Sequence, residues 1–329
     1  MRLALKLGAV VLSAAVAVAG WGAFRLLHAY QGFDREVFVE FPRGTGSRAL
    51  AASLARAGVV RSRWDFLLAR ALSPGRTLQA GEYRFDRPAS PLTVLARIAR
   101  GDTFFYTLVV PEGKNMFDIA AAAAGLGVFP APKFLEAARD PASIRDLDPH
   151  APSLEGYLFP STYRLGRRTT PAALCRMMTA RFREAWSTLG AADAHRTVTL
   201  ASLVEKESKL PEERSLVAAV FENRMRLGMK LDCDPSTIYA ALLEQRYRGT
   251  IHRSDLDSEN AYNTYQHAGL PPGPIANPGL EALRAVLAPA ESSALYFVLR
   301  PDGSGAHQFS SSIAEHQAAV ALYRRAQKR

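Results

Sequence analysis

The chain has 329 residues, enough for two domains, and its 48 % apolar and 22 % charged content is that of an ordinary globular protein rather than a disordered one. Its formal charge of +10 suits an anionic partner, but no tract of clustered Lys and Arg with interleaved aromatics occurs, which argues against nucleic acid. Two cysteines, Cys175 and Cys233, with no C-x-x-C and no His/Cys cluster, argue against a metal site, and no cofactor is expected; both thiols are expected free and buried.

Arg2 and Lys6 precede an uncharged run, Leu7–Phe24, at the lower limit of length for a membrane span. The positive charges place the N-terminus in the cytoplasm and everything after residue 30 outside. Ala17-Val18-Ala19 is a small-x-small site, so a cleaved signal peptide is the competing reading. The apolar run continues past it through Trp21 and Phe24, and the reading adopted is an uncleaved anchor over residues 1–30. Either way the rest of the chain is exported.

Residues 36–40 read as a strand, followed by a helix over 47–57 with Ser47 as N-cap and Gly58 as stop, and a second helix over 62–72 ending at Ser73-Pro74-Gly75. A strand at 81–85, a helix over 90–100 closed by Gly101, a strand at 104–110 and a helix over 116–124 follow. Together these make a small α+β module over 31–125. Residues 126–153, rich in Pro, Asp and Ala from 131 onward, read as a connecting segment, and 154–329 as a second domain.

That domain opens with LEGYLFPSTYRL, where Glu155 and Tyr157 sit in an aromatic stretch of the kind that lines sugar grooves. A helix is expected over 171–189. Next comes VTLASLVEKES, residues 198–208, read as a short helix. At 100° per residue, Leu200, Leu203 and Val204 form one apolar stripe, and Glu207 lies inside it. Glu205 points roughly 150° away, toward water. A carboxyl on an apolar face is desolvated, its pKa rises, and it can serve as a general acid. The competing reading of Glu207 is a structural acid paired with Arg214 or Arg224.

Pro211 starts another helix, 212–227, with Leu216, Val220 and Leu227 as its buried stripe, Asn223 near one edge, and Arg224 near the stripe's centre, placed to reach an acid near Glu207. Asp234, in the turn Leu231–Pro235, is either an N-cap or a site residue. The stretch 254–279 is long, irregular and polar-aromatic, and Tyr262, Asn263, Thr264, Tyr265 and Asn277 are candidates for a carbohydrate groove. A strand at 295–299, a hairpin partner at 305–309 and a helix over 313–327 close the chain; His307, alone, reads as structural.

LEGYLFPSTY, ASLVEKES, VAAVFENRMRLGMKLDCDPSTIY, AYNTYQHAGLPPGPIANPG, then YFV and GAHQFS with His316 beyond, occur in one order over Leu154–His316. In these blocks the chain resembles the YceG-like family of endolytic murein transglycosylases. The resemblance implies an α+β fold in three parts: a transmembrane helix, a LysM-like module, and a mainly helical lysozyme-like lytic domain with a small strand hairpin. It implies a single pass through the inner membrane with the lytic domain in the periplasm. It also implies peptidoglycan glycan strands as substrate, peptidoglycan synthases as neighbours, and a role in ending glycan elongation. The family's catalytic glutamate is the second of its E-K-E run, which is Glu207 here. Two positions depart from the pattern: Ser161 stands where the family often has Asp, and Cys233 where a polar residue is usual.

The implied reaction needs one acid. Glu207 protonates the oxygen between N-acetylmuramic acid and N-acetylglucosamine, then accepts the proton of the muramyl C6 hydroxyl as that oxygen closes on the anomeric carbon. Glu155, Tyr157, Asn223, Asp234, Tyr262, Asn263, Tyr265 and Asn277 are the candidates for binding sugar. Two other readings stay open. A muramidase would use water, positioned by Glu155, Asp234 or Glu205, and a wall-binding protein without turnover would need no acid at all.

Overall fold

A computed structural model describes residues 2–327. Met1, at the head of the predicted anchor, and residues 328–329, at the end of the predicted second domain, lie outside the described residues. The apolar N-terminal run forms one helix, α1 (Arg2–Leu27). Its stretch Lys6–Leu27, with a mean hydropathy of 2.0, is long and apolar enough to cross a membrane. Ala17–Ala19 lies in the middle of that helix.

The chain then divides into two units between Phe105 and Tyr106. In the first, β1 (Val37–Phe41), α2 (Ser47–Arg56), α3 (Arg63–Ala71), β2 (Gly81–Phe85) and α4 (Pro91–Arg100) follow in order. β1 and β2 pair antiparallel, from Val37 opposite Phe85 to Phe41 opposite Gly81. Alternation along them turns Val39, Phe41, Tyr83 and Phe85 inward, onto Leu54 of α2, Phe66 of α3 and Leu95 and Ile98 of α4. The helix ends follow local chemistry. Ser62 and Asp65 form a capping box, Ser90 caps α4, and Gly101 ends it in the left-handed region at φ +74. Ser47, predicted as a cap, is the first helical residue, and Gly46 takes the cap position. The last turn of α1 joins this unit: Leu26 is buried in its core and the Arg25 guanidinium meets the Asp65 carboxylate at 2.6 Å.

The second unit begins with β3 (Tyr106–Val110), which pairs antiparallel with β4 (Ser161–Leu165). Between them lie α5 (Met116–Gly125) and α6 (Ala131–Ala138), followed by a 3₁₀ turn, Pro141–Ile144. The predicted connecting segment is therefore folded structure over much of its length, with Phe134, Ala138 and Ile144 in the core. After β4 come α7 (Pro171–Ser187), α8 (Ala194–Glu207), α9 (Arg214–Arg226), α10 (Asp234–Leu243), the short α11 (Arg253–Leu256) and α12 (Leu280–Leu287). The hairpin β5 (Tyr296–Leu299) and β6 (His307–Ser310) and a final helix α13 (Ile313–Gln327) complete it. Among the described residues the architecture is α+β, mostly helical with three two-stranded antiparallel sheets.

The face of α9 differs from the predicted one. Val217, Val220, Phe221 and Arg224 are buried, whereas Leu216 is half-buried and Leu227 exposed. The buried stripe is rotated by about one residue, because the helix packs on α8 and α12 rather than on one neighbour.

Gly156 fixes how the LEGY segment passes the core. Its φ is +87, and a Cβ there would lie 2.4–2.7 Å from the Pro274 ring and Val198. Gly156→Ala is expected to lower unfolding stability by about 2–4 kcal/mol, measured by urea denaturation.

Candidate active site

α8 carries the site at its C-terminal end. Asp193 caps its start by accepting from the Arg196 amide, and Val198, Leu200, Ala201, Leu203 and Val204 are fully buried against α9, α10 and α12. A helix so enclosed sets the direction of its last side chains. Glu207 emerges beside a cleft of about 390 Å³. The facing walls are Phe221 and Arg224 from α9, Leu231 and Asp232 from the turn before α10, Asp234 at the first position of α10 (Cys233, not Asp234, takes its N-cap), Tyr265 from the irregular stretch 254–279, Tyr296 and Phe297 from β5, and Ile313 and His316 from α13.

Among the described residues the one hydrogen bond to the Glu207 carboxyl comes from a thiol: Cys233 Sγ donates to Oε1 at 3.1 Å. Burial pushes the Glu207 pKa up; the thiol's hydrogen bond pulls it down, the nearby Asp234 charge adds to the rise, and His307 and Arg224 oppose it, leaving it raised. Cys233 is held in place by its amide, which donates to Thr264 Oγ1 at 3.0 Å. Burial, with the Glu207 charge beside it, drives the Cys233 pKa well up, so the group stays a thiol and a donor.

The cations named as partners for Glu207 are used elsewhere. Arg224 Nε donates to the Leu295 carbonyl at 2.6 Å, and its Nη1 to Leu231 at 2.9 Å and to Asp232 at 3.3 Å. It clamps two segments of the cleft wall and lies over the Tyr296 ring at 5.2 Å. Tyr296 stacks on His316 at 5.1 Å, and His316 Nδ1 is buried with no hydrogen-bond partner. Burial lowers the His316 pKa, with Arg224 adding to it, which keeps the ring neutral. Arg214 pairs instead with Glu205 at 3.2 Å and Glu112 at 3.5 Å.

Glu205 does not face water, contrary to the helical-wheel reading. Its side chain is 6 % exposed and accepts from the Gly279 amide at 3.0 Å as well as from Arg214. The wheel angle holds, but the face it points to is covered by the chain at Gly113 and Gly279.

Of the sequence-predicted site residues, Glu207, Asp234 and Tyr265 come together, and the Tyr265 hydroxyl donates to Asp234 Oδ1 at 2.6 Å. The others lie outside the cleft lining. Glu155 is buried and accepts from the Met116 amide at 2.8 Å and from Asn277 Nδ2 at 2.7 Å. Asn277 also donates to the Lys114 carbonyl and accepts from the Leu158 amide. Tyr157 is in the core with its hydroxyl on Asp148. Asn263 donates to the carbonyls of Asp255, Leu256 and Ser258. Tyr262 packs on Tyr239, and Asn223 holds the carbonyls of Ser292 and Ala294. His307 is locked to Glu213, at 2.7 Å from both ring and amide nitrogens.

Cys233, Tyr296, Phe297 and His316 are cleft residues that residue patterning alone did not single out as binding groups. The only signal for them was their place in or after the blocks that carry the family resemblance, Cys233 in LDCDPSTIY, Tyr296 and Phe297 in YFV, and His316 beyond GAHQFS. Among the described residues no three His, Cys, Asp or Glu side chains gather as metal ligands.

Comparison with known proteins gives one consistent set. The model of the YceG-like family matches residues 39–322. An endolytic murein transglycosylase of Bacillus subtilis is 28 % identical over 311 residues, covering 87 % of this chain and 84 % of that protein. One from Streptococcus pneumoniae is 29 % identical over 296 residues, covering 80 % of this chain; here the chain spans about half of the relative, 54 %. The crystal structure of a YceG-like protein from Listeria monocytogenes superposes with a TM-score of 0.55 at 27 % identity, over 86 % of this chain and 99 % of that one.

Burial pushes the Glu155 carboxyl up to about 8, against the donors at Met116, Tyr239 and Asn277 that pull it down. A carboxyl raised from about 4.3 in the unfolded chain binds its proton more tightly when folded, so its contribution is full at low pH and is lost as pH climbs toward 8. Unfolding free energy measured at pH 5 and pH 9 is expected to fall across that interval. In Glu155→Gln the fall is expected to be smaller, whatever the variant's absolute stability.

Proposed function

Because the chain belongs to the YceG-like family, we propose that it is an endolytic murein transglycosylase with Glu207 as its general acid and base. The observation that carries this reading is the state of Glu207: a desolvated carboxyl beside an open cleft, with no cation paired to it among the described residues and one oxygen held by a thiol. Such a group is protonated where an ordinary glutamate is not.

In the proposed reaction the proton of Glu207 passes to the oxygen between N-acetylmuramic acid and N-acetylglucosamine. The C1–O bond breaks, and the N-acetylglucosamine side leaves with a free 4-hydroxyl. The Glu207 carboxylate then takes the proton from the muramyl C6 hydroxyl while that oxygen bonds to C1. The product is a 1,6-anhydromuramyl end, and Glu207 finishes protonated as it began. No water is consumed, and the nucleophile, being part of the substrate, has a high effective concentration. Cys233 occupies Oε1, which leaves Oε2 to carry the proton toward the sugar. The Tyr265–Asp234 pair offers polar contacts, and the Tyr296–His316 stack a ring surface.

The same reading makes α1 a single-pass inner-membrane anchor, N-terminus in the cytoplasm and lytic unit in the periplasm. It takes the α+β module read over 31–125, in which β1 and β2 pair with α2 and α3 between them, as LysM-like. It assigns the enzyme to ending nascent glycan strands alongside peptidoglycan synthases. A second reading, a muramidase, draws support from Asp232 and Asp234, which line the same cleft and can serve a water nucleophile.

Mass spectrometry of glycan strands digested by the purified protein separates the two. Anhydro ends are expected from the wild type; reducing ends, heavier by one water, would replace the first reading with the second. Glu207→Gln is expected to lose about 10²–10⁴-fold in rate with the fold unchanged by circular dichroism.

The pH profile tests the thiol. Activity needs Glu207 protonated, so the rate falls as pH rises through its pKa. Cys233→Ala removes a donor that stabilises the carboxylate, and the alkaline limb of kcat/KM is expected to move to higher pH. Cys233→Ser, which keeps a donor, is expected to leave the limb near its wild-type position.

A further inference from the structure

α3 divides its circumference into three sectors. Asp65, Phe66 and Ala69 face the core of the first unit. Trp64 and Leu68, with Leu72 at the C-cap, follow one another at i, i+4 and i+8, so they lie along one face, and that face is bare: Trp64 is 64 %, Leu68 44 % and Leu72 64 % exposed. By the same geometry Arg63 and Arg70 lie on the remaining edge; Arg63 is exposed and stacks over the Trp64 ring at 4.9 Å, while Arg70 donates to the Ser73 and Pro74 carbonyls at 2.7 and 3.2 Å. Arg61 and Arg76 flank the helix, while its one acid, Asp65, is already paired to Arg25.

A large apolar stripe on a soluble surface is a hazard unless something covers it. Here the neighbouring element indicates the cover. The first turn of α3 touches the last turn of α1 through the Arg25–Asp65 pair at 2.6 Å, and Leu26 is buried in the core beneath. Arg25 is the first charged residue after the uncharged run of α1 and stands two residues before the end of the span at Leu27, so it marks the polar end of that helix. Trp64, next to Asp65 in sequence, therefore starts its stripe at headgroup depth, where indole rings partition best. Apolar stripe, basic edge and attachment to the end of the span are together the features of a helix lying in a lipid interface.

We propose that α3 lies in the outer surface of the membrane that α1 crosses, with Trp64, Leu68 and Leu72 among the lipids and the exposed Arg63 beside Trp64 toward anionic headgroups. The inference rests on α1 being a membrane anchor. With both elements seated, the first unit is held to the bilayer at two places instead of swinging from one.

The test uses the full chain in nanodiscs of mixed zwitterionic and anionic phospholipid. Cys175 and Cys233 are buried, so a nitroxide reagent labels only an introduced thiol. Labels at Leu68→Cys on α3 and at Leu12→Cys within α1 are compared by their relaxation with oxygen, which enters lipid, and with a nickel chelate, which stays in water. Both sites are exposed on the protein itself, so neither substitution disturbs the core. The expected result is that oxygen dominates at both. Oxygen dominating at Leu12 with the nickel chelate dominating at Leu68 overturns the docking of α3 and leaves the anchor standing. The chelate dominating at both sites overturns the anchor reading and this inference with it.

Discussion

A carboxyl at the end of a buried helix must either find positive charge or hold its proton, and α8 meets both conditions within three residues. Glu205 and Glu207 are two positions apart, so they leave the helix on opposite sides. Burial raises the pKa of both carboxyls; at Glu205 the Gly279 amide and Arg214 oppose that rise. Glu207 meets a thiol and a cleft. The difference lies in what packs around each side chain, since the residue type and the helix are the same. Everything that encloses α8 serves this contrast: α12 and α9 bury its length, the 112–113 turn covers one side, and the 231–234 turn and β5 frame the other.

Much of this was legible locally. The apolar period over Leu200–Val204 separates Glu207 from Glu205, and the helix starts read at Ser62 and Ser90 and the stop at Gly101 fall on residues that cap, whereas the cap read at Ser47 belongs to Gly46. What escaped local reading depends on partners far along the chain. Helical geometry gives the direction in which Glu205 points, but not that Gly279 will be waiting there. The face of α9 turned because it has two neighbours, and a one-sided stripe model cannot anticipate the second. The stretch 131–152 looked like a linker because Pro and Asp punctuate it, yet its few apolar residues, Phe134 and Ile144 among them, reach the core.

The irregular stretch 254–279 shows the same limit from the other side. Its Asn, Tyr and Thr side chains have the composition of a sugar groove, and one of them, Tyr265, does reach the cleft. The rest act as internal ties. Asn263 binds three carbonyls of its own loop, Thr264 receives the Cys233 amide, and Asn277 joins Glu155 to the start of α5. A loop this long inside a compact unit must satisfy its own backbone, and polar side chains are what it has for that purpose. Composition alone does not separate a residue that binds a ligand from one that replaces secondary structure.

The tie between Glu155 and Asn277 spans 122 residues, and that distance has a temporal meaning. Chains are made N-terminus first, and units fold as they become complete. While Asn277 is unmade, the Glu155 carboxyl and the Leu158 amide lack the partner that closes them, and the Gly279 amide that receives Glu205 does not yet exist. β5 and α13, which wall the cleft, come later still. A nascent or prematurely truncated chain thus carries the acid of α8 without the surroundings that give it its character. Acid and surroundings are complete together only once β5 and α13 have been made.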